Sequence, residues 1–176
     1  MSRISHMFDT TGTLDLFDTV GPPCANTNAG DPIVLYDSLA DRWLLSQLCT
    51  ETTAGREHQL VAISTSGDPT GTYFAYDFLL PNDKANDYPH FGVWPDAYYV
   101  TLVQFAGGSA YSGPEVCAYD RAKMLAGLAA TQQCFTPSSP TSYGPMLPSD
   151  VDGATPPPAG AKNYLLEAGT NVLHLW

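Results

Sequence analysis

The stretch LYDSLADRW, residues 35–43, holds the pattern that decides the fold of this chain. One strand-like run ends in an aromatic residue and an aspartate, and a second begins at Trp43 after a short polar segment. An aromatic ring packs well on a sheet face, and the aspartate carboxylate can accept hydrogen bonds from backbone N–H groups two residues later. The stretch therefore predicts two antiparallel strands joined by a tight turn at Asp37.

The same pairing of an aromatic residue with an aspartate recurs along the chain. It is found in MFDTTG at residues 7–12, in AYDR at residues 118–121, and as Tyr76-Asp77 inside another strand-like run. Several such units in one chain favour stacked antiparallel sheets, as in a β-propeller. Ordinary hairpins of an unrelated β-sandwich are the alternative.

Strand-like runs fall into groups separated by turn-forming segments. The first group holds four runs, which matches one propeller blade of about fifty residues, and the second group holds four more. We predict blades at about residues 31–80 and 90–136, with partial blades at both ends of a single domain over residues 1–176. The predicted strands are 33–36, 43–48, 59–65, 72–79, 91–94, 97–105, 115–119, 132–135, 163–167 and 172–176.

The remaining segments are predicted from their composition. Residues 3–18 read as a hairpin, residues 81–89 as a polar loop, and residues 137–158, which are rich in Pro, Ser, Gly and Asp, as irregular. Residues 124–130 favour a short helical turn because Met, Leu and Ala dominate there. The fold class is therefore all-β, a partial propeller of about two and a half four-stranded antiparallel blades, with a dimer expected to complete the ring.

Composition excludes several classes of partner. The chain has 7 basic and 18 acidic residues, a formal net charge of −11, so it lacks the basic surface that nucleic acid or an anionic membrane requires. Apolar residues make up 44% of the sequence, enough for a packed core. The opening residues 1–6 lack the apolar segment of a secretion signal, and no run is long enough to span a bilayer.

The four cysteines favour two local disulfides. Cys24 precedes one predicted strand and Cys49 follows the next, and Cys117 and Cys134 flank a hairpin-sized segment. Their spacings match no zinc motif of the CxxC kind. Two disulfides would indicate an oxidising compartment, extracellular or periplasmic, and four buried free thiols are the alternative.

Several segments together resemble a family of uncharacterised secreted bacterial β-propeller proteins. They are GDPIVLYD (30–37), LADRW (39–43), DPTGTY (68–73), GVWPDAYY (92–99), VCAYDR (116–121), and DVDG (150–153) through PPP (156–158). The resemblance implies a propeller fold and no particular activity. Members of that family are much longer, so the chain resembles an internal portion that begins and ends inside blades. SGDPTGTY (66–73) is also similar to the Asp-box of sialidase-type propellers, which is a structural turn.

A looser resemblance concerns chemistry. GDPIV (30–34) is similar to the segment that carries the general base in five-bladed arabinanase-type glycoside hydrolases, where an Asp-Pro pair opens the innermost strand of a blade. The resemblance implies that Asp31 is the base or nucleophile. Asp96 in PDAYY (95–99) would repeat the placement one blade later as positioner, and Glu115 would be the acid. Asp-Pro is also a common turn opener, which is the structural alternative for Asp31.

Glycoside hydrolysis needs such carboxyl groups, because one protonates the leaving oxygen and another activates water or attacks the sugar. Trp94, Tyr98 and Tyr99 could stack on the apolar C–H faces of a sugar. The first hypothesis is therefore a secreted hydrolase that cleaves a glycosidic bond, and the alternative is a non-catalytic extracellular propeller that binds a ligand or acts as a scaffold. We expect a carbohydrate substrate or ligand, a homodimer, and neither a metal ion nor another cofactor.

Overall fold

The computed structural model describes residues 16–25, 27–153 and 155–176, and these residues form an all-β fold of antiparallel sheets. The helical segments are short and lie before or between the strands. They are α1 (Arg121–Leu125) and the 3₁₀ turns Asp18–Val20 and Pro140–Ser142. The strands are β1 (Ile33–Asp37), β2 (Arg42–Thr50), β3 (Glu57–Ser64), β4 (Tyr73–Leu79), β5 (Ala85–Val93), β6 (Ala97–Ala106), β7 (Ala110–Asp120), β8 (Gln132–Phe135), β9 (Leu147–Pro148), β10 (Leu165–Gly169) and β11 (Val172–Leu175).

The chain divides into two compact units. The first runs up to Asp83 and includes Lys123–Ala129, and the second contains Lys84–Ala122 and Ala130–Trp176. Each of the two predicted blade regions contains a four-stranded sheet with its strands in chain order, β1-β2-β3-β4 and β5-β6-β7-β8.

The turn after β1 has the local cause that the sequence predicts. Asp37 is fully buried, and its Oδ1 accepts hydrogen bonds from the backbone N–H groups of Leu39 and Ala40, both at 3.1 Å. Tyr36 lies opposite Trp43 in the register of β1 and β2, and their rings are 5.0 Å apart. The N–H groups of these turn residues have no partner in a neighbouring strand, and the carboxylate accepts hydrogen bonds from them instead. The chain therefore turns at this point and forms the hairpin.

A core covers one face of the first sheet. It joins Leu45 of β2 and Leu60 of β3 to Leu16 and Phe17, which precede the first sheet in the chain. All four side chains are at most 1% exposed. The predicted hairpin at residues 3–18 lies almost wholly outside the described residues.

β5 is longer than the sequence predicts. It starts at Ala85, inside the segment predicted as a polar loop, whereas the predicted strand started at residue 91. The register shifts between Asp87 and His90, where Tyr88 has φ +53° and Pro89 follows. A bulge of this kind accepts one extra residue and a proline without ending the strand pairing, so Pro89 was a misleading signal.

A third sheet, β11-β10-β9, belongs to the second unit. β9 lies in the segment predicted as irregular, and Leu166 of β10 pairs with both Leu147 and Leu175. Leu165, on the opposite face from Leu166, packs with Val116 of β7. β9 pairs over two residues only, which is too short for a periodic signal in the sequence.

Both predicted disulfides are present. Cys24 is bonded to Cys49 at the end of β2, and Cys117 is bonded to Cys134, its direct partner in the register of β7 and β8. No cysteine of the described residues is free. None of the helical segments in residues 16–25, 27–153 and 155–176 has the length and hydropathy of a transmembrane helix.

Candidate functional site

A cleft of about 610 Å³ lies beside the turn between β5 and β6, in the second unit. Its volume falls within the range of about 300–1,000 Å³ that is typical of small-ligand sites. Two chain segments supply the walls. The lining residues are Trp94, Pro95, Asp96 and Tyr99 from the turn and β6, and Pro156–Asn163 from the segment before β10.

The turn wall follows from its sequence. Trp94 donates its backbone N–H to Ala97 at 3.1 Å, so Pro95 and Asp96 are the two residues at the tip of the hairpin. Proline has no N–H to donate, and a hairpin tip is a position where no strand partner needs one. The two-residue tip leaves Asp96 exposed beside the cleft.

The segment before the opposite wall is hydrogen-bonded to the end of β5, and Asn163 of that wall donates its side-chain N–H to Ser149 of the same segment. Val93 donates its N–H to Asp150 Oδ1 at 2.7 Å, and Val151 donates its N–H to the Val93 carbonyl at 3.2 Å. Gly92 makes this contact possible, because a Cβ atom there would lie 2.4 Å from the carbonyl oxygen of Ser149. Asp150 is thus a structural acceptor for the end of β5.

Trp94 connects the two walls. Its indole Nε1 donates to the carbonyl oxygen of Ala161 at 3.0 Å, which fixes the ring against the second wall. Ala161 is itself held in a turn by its N–H bond to Pro158 at 2.9 Å. The prolines before that turn have a fixed φ, so the wall loses little conformational freedom when a ligand binds.

Asp96 and Tyr99 form a polar pair in the cleft. The Tyr99 hydroxyl donates to Asp96 Oδ2 at 3.1 Å. Burial, and then the charge of Asp96 and the hydrogen bond to it, raise the pKa of Tyr99 to about 12. The phenol therefore stays protonated at neutral pH, and Asp96 keeps lone pairs to accept hydroxyl groups of a ligand.

The structure brings together three of the six predicted site residues, namely Trp94, Asp96 and Tyr99. Tyr98 is fully buried on the opposite face of β6, where the guanidinium of Arg121 lies 5.7 Å from its ring centre. Adjacent strand residues point to opposite faces, so Tyr98 and Tyr99 cannot both line one cleft. Tyr98 is a core residue of the second unit.

Glu115 lies far from Asp96 along the sheet. It faces Leu102, whereas Asp96 directly precedes Ala97, so about 17–20 Å of β6 separates their positions. Glu115 is 2% exposed, accepts a hydrogen bond from Thr136, and lines neither the cleft nor the smaller cavity described below. Burial raises the pKa of its carboxyl group.

Asp31 belongs to the first unit and precedes β1 by one proline. It is exposed and has φ +52°. β1 is an edge strand, whereas Asp96 precedes β6, an inner strand of its sheet. Asp31 therefore precedes the first strand of its sheet and Asp96 the second, so the two aspartates do not occupy the same position in their sheets.

Asp96 also lines a second cavity of about 270 Å³ together with Asp120 at the end of β7. Ala97 pairs with Asp120, and Asp96 precedes Ala97 at the hairpin tip, so both aspartates lie at the same end of the strand pair. The AYDR segment predicts Asp120 only as a turn residue. Its closeness to Asp96 depends on the pairing of β6 with β7, which no local signal gives.

The second wall of the cleft was also missed. Pro156–Pro158 were read as part of an irregular segment, and Lys162 and Asn163 were given no role. Three successive prolines followed by a glycine could have indicated a rigid surface segment.

No family model matches this chain, and neither the curated proteins nor the solved structures contain a match to it.

Proposed function

We propose that this protein is an extracellular binding module that holds a carbohydrate in the cleft beside Trp94. The observation that carries the proposal is that Trp94, Tyr99 and Asp96 line one cleft. Sugars present apolar C–H faces to aromatic rings and hydroxyl groups to carboxylates, and this cleft offers both kinds of contact. On the other wall Lys162 adds a hydrogen-bond donor, and Asn163 Oδ1, which has no partner among the described residues, adds an acceptor.

Two further properties support this class of protein. The two disulfides are typical of proteins in an oxidising compartment outside the cytoplasm. The net charge of −11 disfavours nucleic acid and anionic membranes as ligands and has no such effect on a neutral sugar.

Glycoside hydrolysis is the second candidate function, and the position of a second carboxylate near the cleft supports it. Asp96 is the one carboxylate among the described residues that line the cleft, yet Asp120 lies beside it at the smaller cavity. Hydrolysis needs two carboxyl groups about 5–10 Å apart, a separation that two side chains lining one small cavity can have. If the protein is a hydrolase, we therefore expect Asp96 and Asp120 to act as the pair.

Binding is tested by titrating the protein with a panel of neutral oligosaccharides in a calorimeter. Removing the aromatic wall with Trp94→Ala should weaken the best ligand by about 30-fold, or about 2 kcal/mol, as for a buried aromatic contact at the centre of an interface. Trp176→Ala is the matched control, because Trp176 is partly exposed and lies outside the cleft. Equal affinities for the two variants would refute the site.

Hydrolysis is tested on chromogenic glycosides between pH 4 and 8. Turnover that is lost in both Asp96→Asn and Asp120→Asn would establish the second candidate. Turnover that instead requires Asp31 or Glu115 would restore the original assignment of catalytic residues. Sugar binding without turnover leaves the binding module as the function.

We also propose that the two four-stranded sheets are propeller blades and that a second copy of the chain completes the assembly. One face of the third sheet is exposed and carries only apolar side chains. Because that face has no charge, two copies with a net charge of −11 can approach there with least repulsion. Light scattering at micromolar concentration should show a dimer, and a monomer would contradict this proposal. The residues of the face are Leu147, Leu166, Ala168, Leu173 and Leu175, of which the leucines are 42–65% exposed.

A further inference from the structure

The end of the first sheet brings a disulfide next to a histidine–aspartate pair. Cys49 of β2 lies opposite His58 of β3 in the register, and Asp77 of β4 is the diagonal neighbour of His58 on the same face. A sulfur atom of Cys24, a ring nitrogen of His58 and a carboxylate oxygen of Asp77 all lie within 4.8 Å of one another. Three strands and the segment before β1 therefore place two sulfurs, an imidazole and a carboxylate together.

His58 is held in one orientation with a nitrogen to spare. Its Nδ1 is 2.6 Å from Asp77 Oδ1, which fixes the ring and its tautomer. His58 is only 4% exposed, so its Nε2 is shielded from water, and this nitrogen has no hydrogen-bond partner among the described residues. A buried polar atom without a partner carries a free-energy cost, so this nitrogen is suited to a ligand that the oxidised chain does not provide.

We propose that reduction of the Cys24–Cys49 disulfide converts this cluster into a binding site for a zinc ion. The two cysteine thiolates and His58 Nε2 are the three protein ligands, a water molecule takes the fourth tetrahedral position, and Asp77 positions the imidazole through Nδ1. Histidine ligands of zinc usually donate their other N–H group to a carboxylate, which is the arrangement of His58 and Asp77. Two thiolates and one imidazole form a ligand set that zinc favours.

The change requires only short movements. In a tetrahedral zinc site the two sulfurs lie about 3.8 Å apart, because each Zn–S bond is about 2.3 Å long. Cys49 is in a strand, but Cys24 lies in the segment before β1, so a shift of Cys24 breaks no strand pairing. The Thr27 hydroxyl lies 2.8 Å from the Cys24 carbonyl oxygen and 3.1 Å from Cys49 Sγ, so its one proton could turn to the sulfur and stabilise a thiolate there. Asp77 is 20% exposed, which gives an ion access from solvent.

The chemistry balances in two steps. A phosphine reductant breaks the S–S bond, the phosphorus takes the oxygen of a water molecule, and the two hydrogens of that water go to the two sulfurs. The phosphine is oxidised by two electrons and the disulfide is reduced by two. A zinc ion then binds, and the two thiols release two protons.

This site and the proposed sugar site lie in different units and use different residues.

The test uses the full chain, reduced with a phosphine under anaerobic conditions, freed of reductant and titrated with Co²⁺ as a spectroscopic substitute for zinc. We expect one equivalent of Co²⁺ to give the cobalt–thiolate charge-transfer band and the visible bands of a tetrahedral site, with no such bands in the oxidised chain. Zn²⁺ should displace the Co²⁺ and abolish the bands.

Variants separate this site from the other cysteines. The double variant Cys117→Ser/Cys134→Ser is the matched control and should keep the bands, whereas Cys24→Ser/Cys49→Ser should lose them. His58→Asn keeps all four cysteines and should lose the tetrahedral bands, and Asp77→Asn should weaken binding by about 10–100-fold.

The outcomes decide the proposal even if reduction unfolds the chain. In that case Zn²⁺ must restore the β circular dichroism of the reduced wild-type protein and not that of His58→Asn. A reduced wild-type chain that takes up no Co²⁺, or His58→Asn binding as tightly as wild type, would overturn the proposal.

Discussion

Replacing Gly92 with alanine should open the second wall of the cleft and destabilise the second unit. The new Cβ atom would meet the carbonyl oxygen of Ser149 at 2.4 Å, and it would meet the Pro148 side chain at 3.2 Å. An ordinary contact needs more than 3 Å, so the segment around Ser149 must move by close to 1 Å. Backbone atoms cannot give way locally as the end of a flexible side chain can.

The magnitude follows from the two bonds that this movement breaks. The bond from Val93 N–H to the Asp150 carboxylate has a charged acceptor and contributes about 1.5–3 kcal/mol, and the backbone bond from Val151 to Val93 contributes about 0.5–1.5 kcal/mol. We expect a loss of about 3 kcal/mol in the free energy of unfolding. For a chain of this size, that loss lowers Tm by about 6–12 °C.

The assay is urea unfolding followed by circular dichroism, for Gly92→Ala, Asp150→Ala and the double variant. Both single variants remove the same hydrogen bond, so the double variant should be less destabilised than the sum of the two. Gly107→Ala is the control, since nothing lies within 4 Å of its added Cβ and only its φ of +59° is unfavourable. The reasoning is refuted if Gly92→Ala costs no more than Gly107→Ala, or if its effect adds fully to that of Asp150→Ala.

Three other changes test the energetics of the fold. Replacing Cys24 and Cys49 together with serine should cost about 3.5 kcal/mol, because the bond closes a loop with a separation of 25 residues, and urea unfolding with and without reductant measures the loss. Glu115→Gln should stabilise the protein at pH 7 and make no difference near pH 4. Burial raises the pKa of the Glu115 carboxyl group in the folded protein above its value in the unfolded chain. The contribution of Glu115 to stability is therefore complete below the unfolded pKa and is lost as the pH rises through the folded pKa. Thermal melts across that range check the sign, and a Gln variant that is less stable at pH 7 would contradict it. Glu167→Gln should behave in the opposite way, destabilising the protein at pH 7 and converging with wild type in acid. The hydrogen bond to His174 lowers the pKa of Glu167 in the folded protein, so its contribution to stability is lost as the pH falls through that folded pKa. Equal melting curves at pH 7 would be the contrary result.

Local rules predicted much of the fold correctly. Asp37 starts a turn by accepting two backbone N–H bonds, and this needs only residues close in sequence. The segment Gln132–Phe135 is a strand with the predicted bounds. The cysteine pairing was predictable because each pair flanks neighbouring strands, so strand order alone brings the sulfurs together.

Predictions were wrong where a distant segment changes the meaning of a local signal. Pro89 normally ends a strand, but β6 pairs on both sides of it and the bulge absorbs the extra residue. Tyr98 and Tyr99 have the same side chain, and which of them lines the cleft depends on the face that the Pro156–Asn163 segment covers.

The antiparallel strands, their turns and the disulfides were predictable from the amino-acid sequence, because alternation, turn chemistry and cysteine spacing act over a few residues to a few strands. Which polar groups meet was not predictable in this way. Asp96 lies beside Asp120 and far from Glu115, and His58 lies beside Cys49, because strand register sets those distances. Register depends on pairing between segments that are distant in the chain, so a motif within one segment cannot specify it.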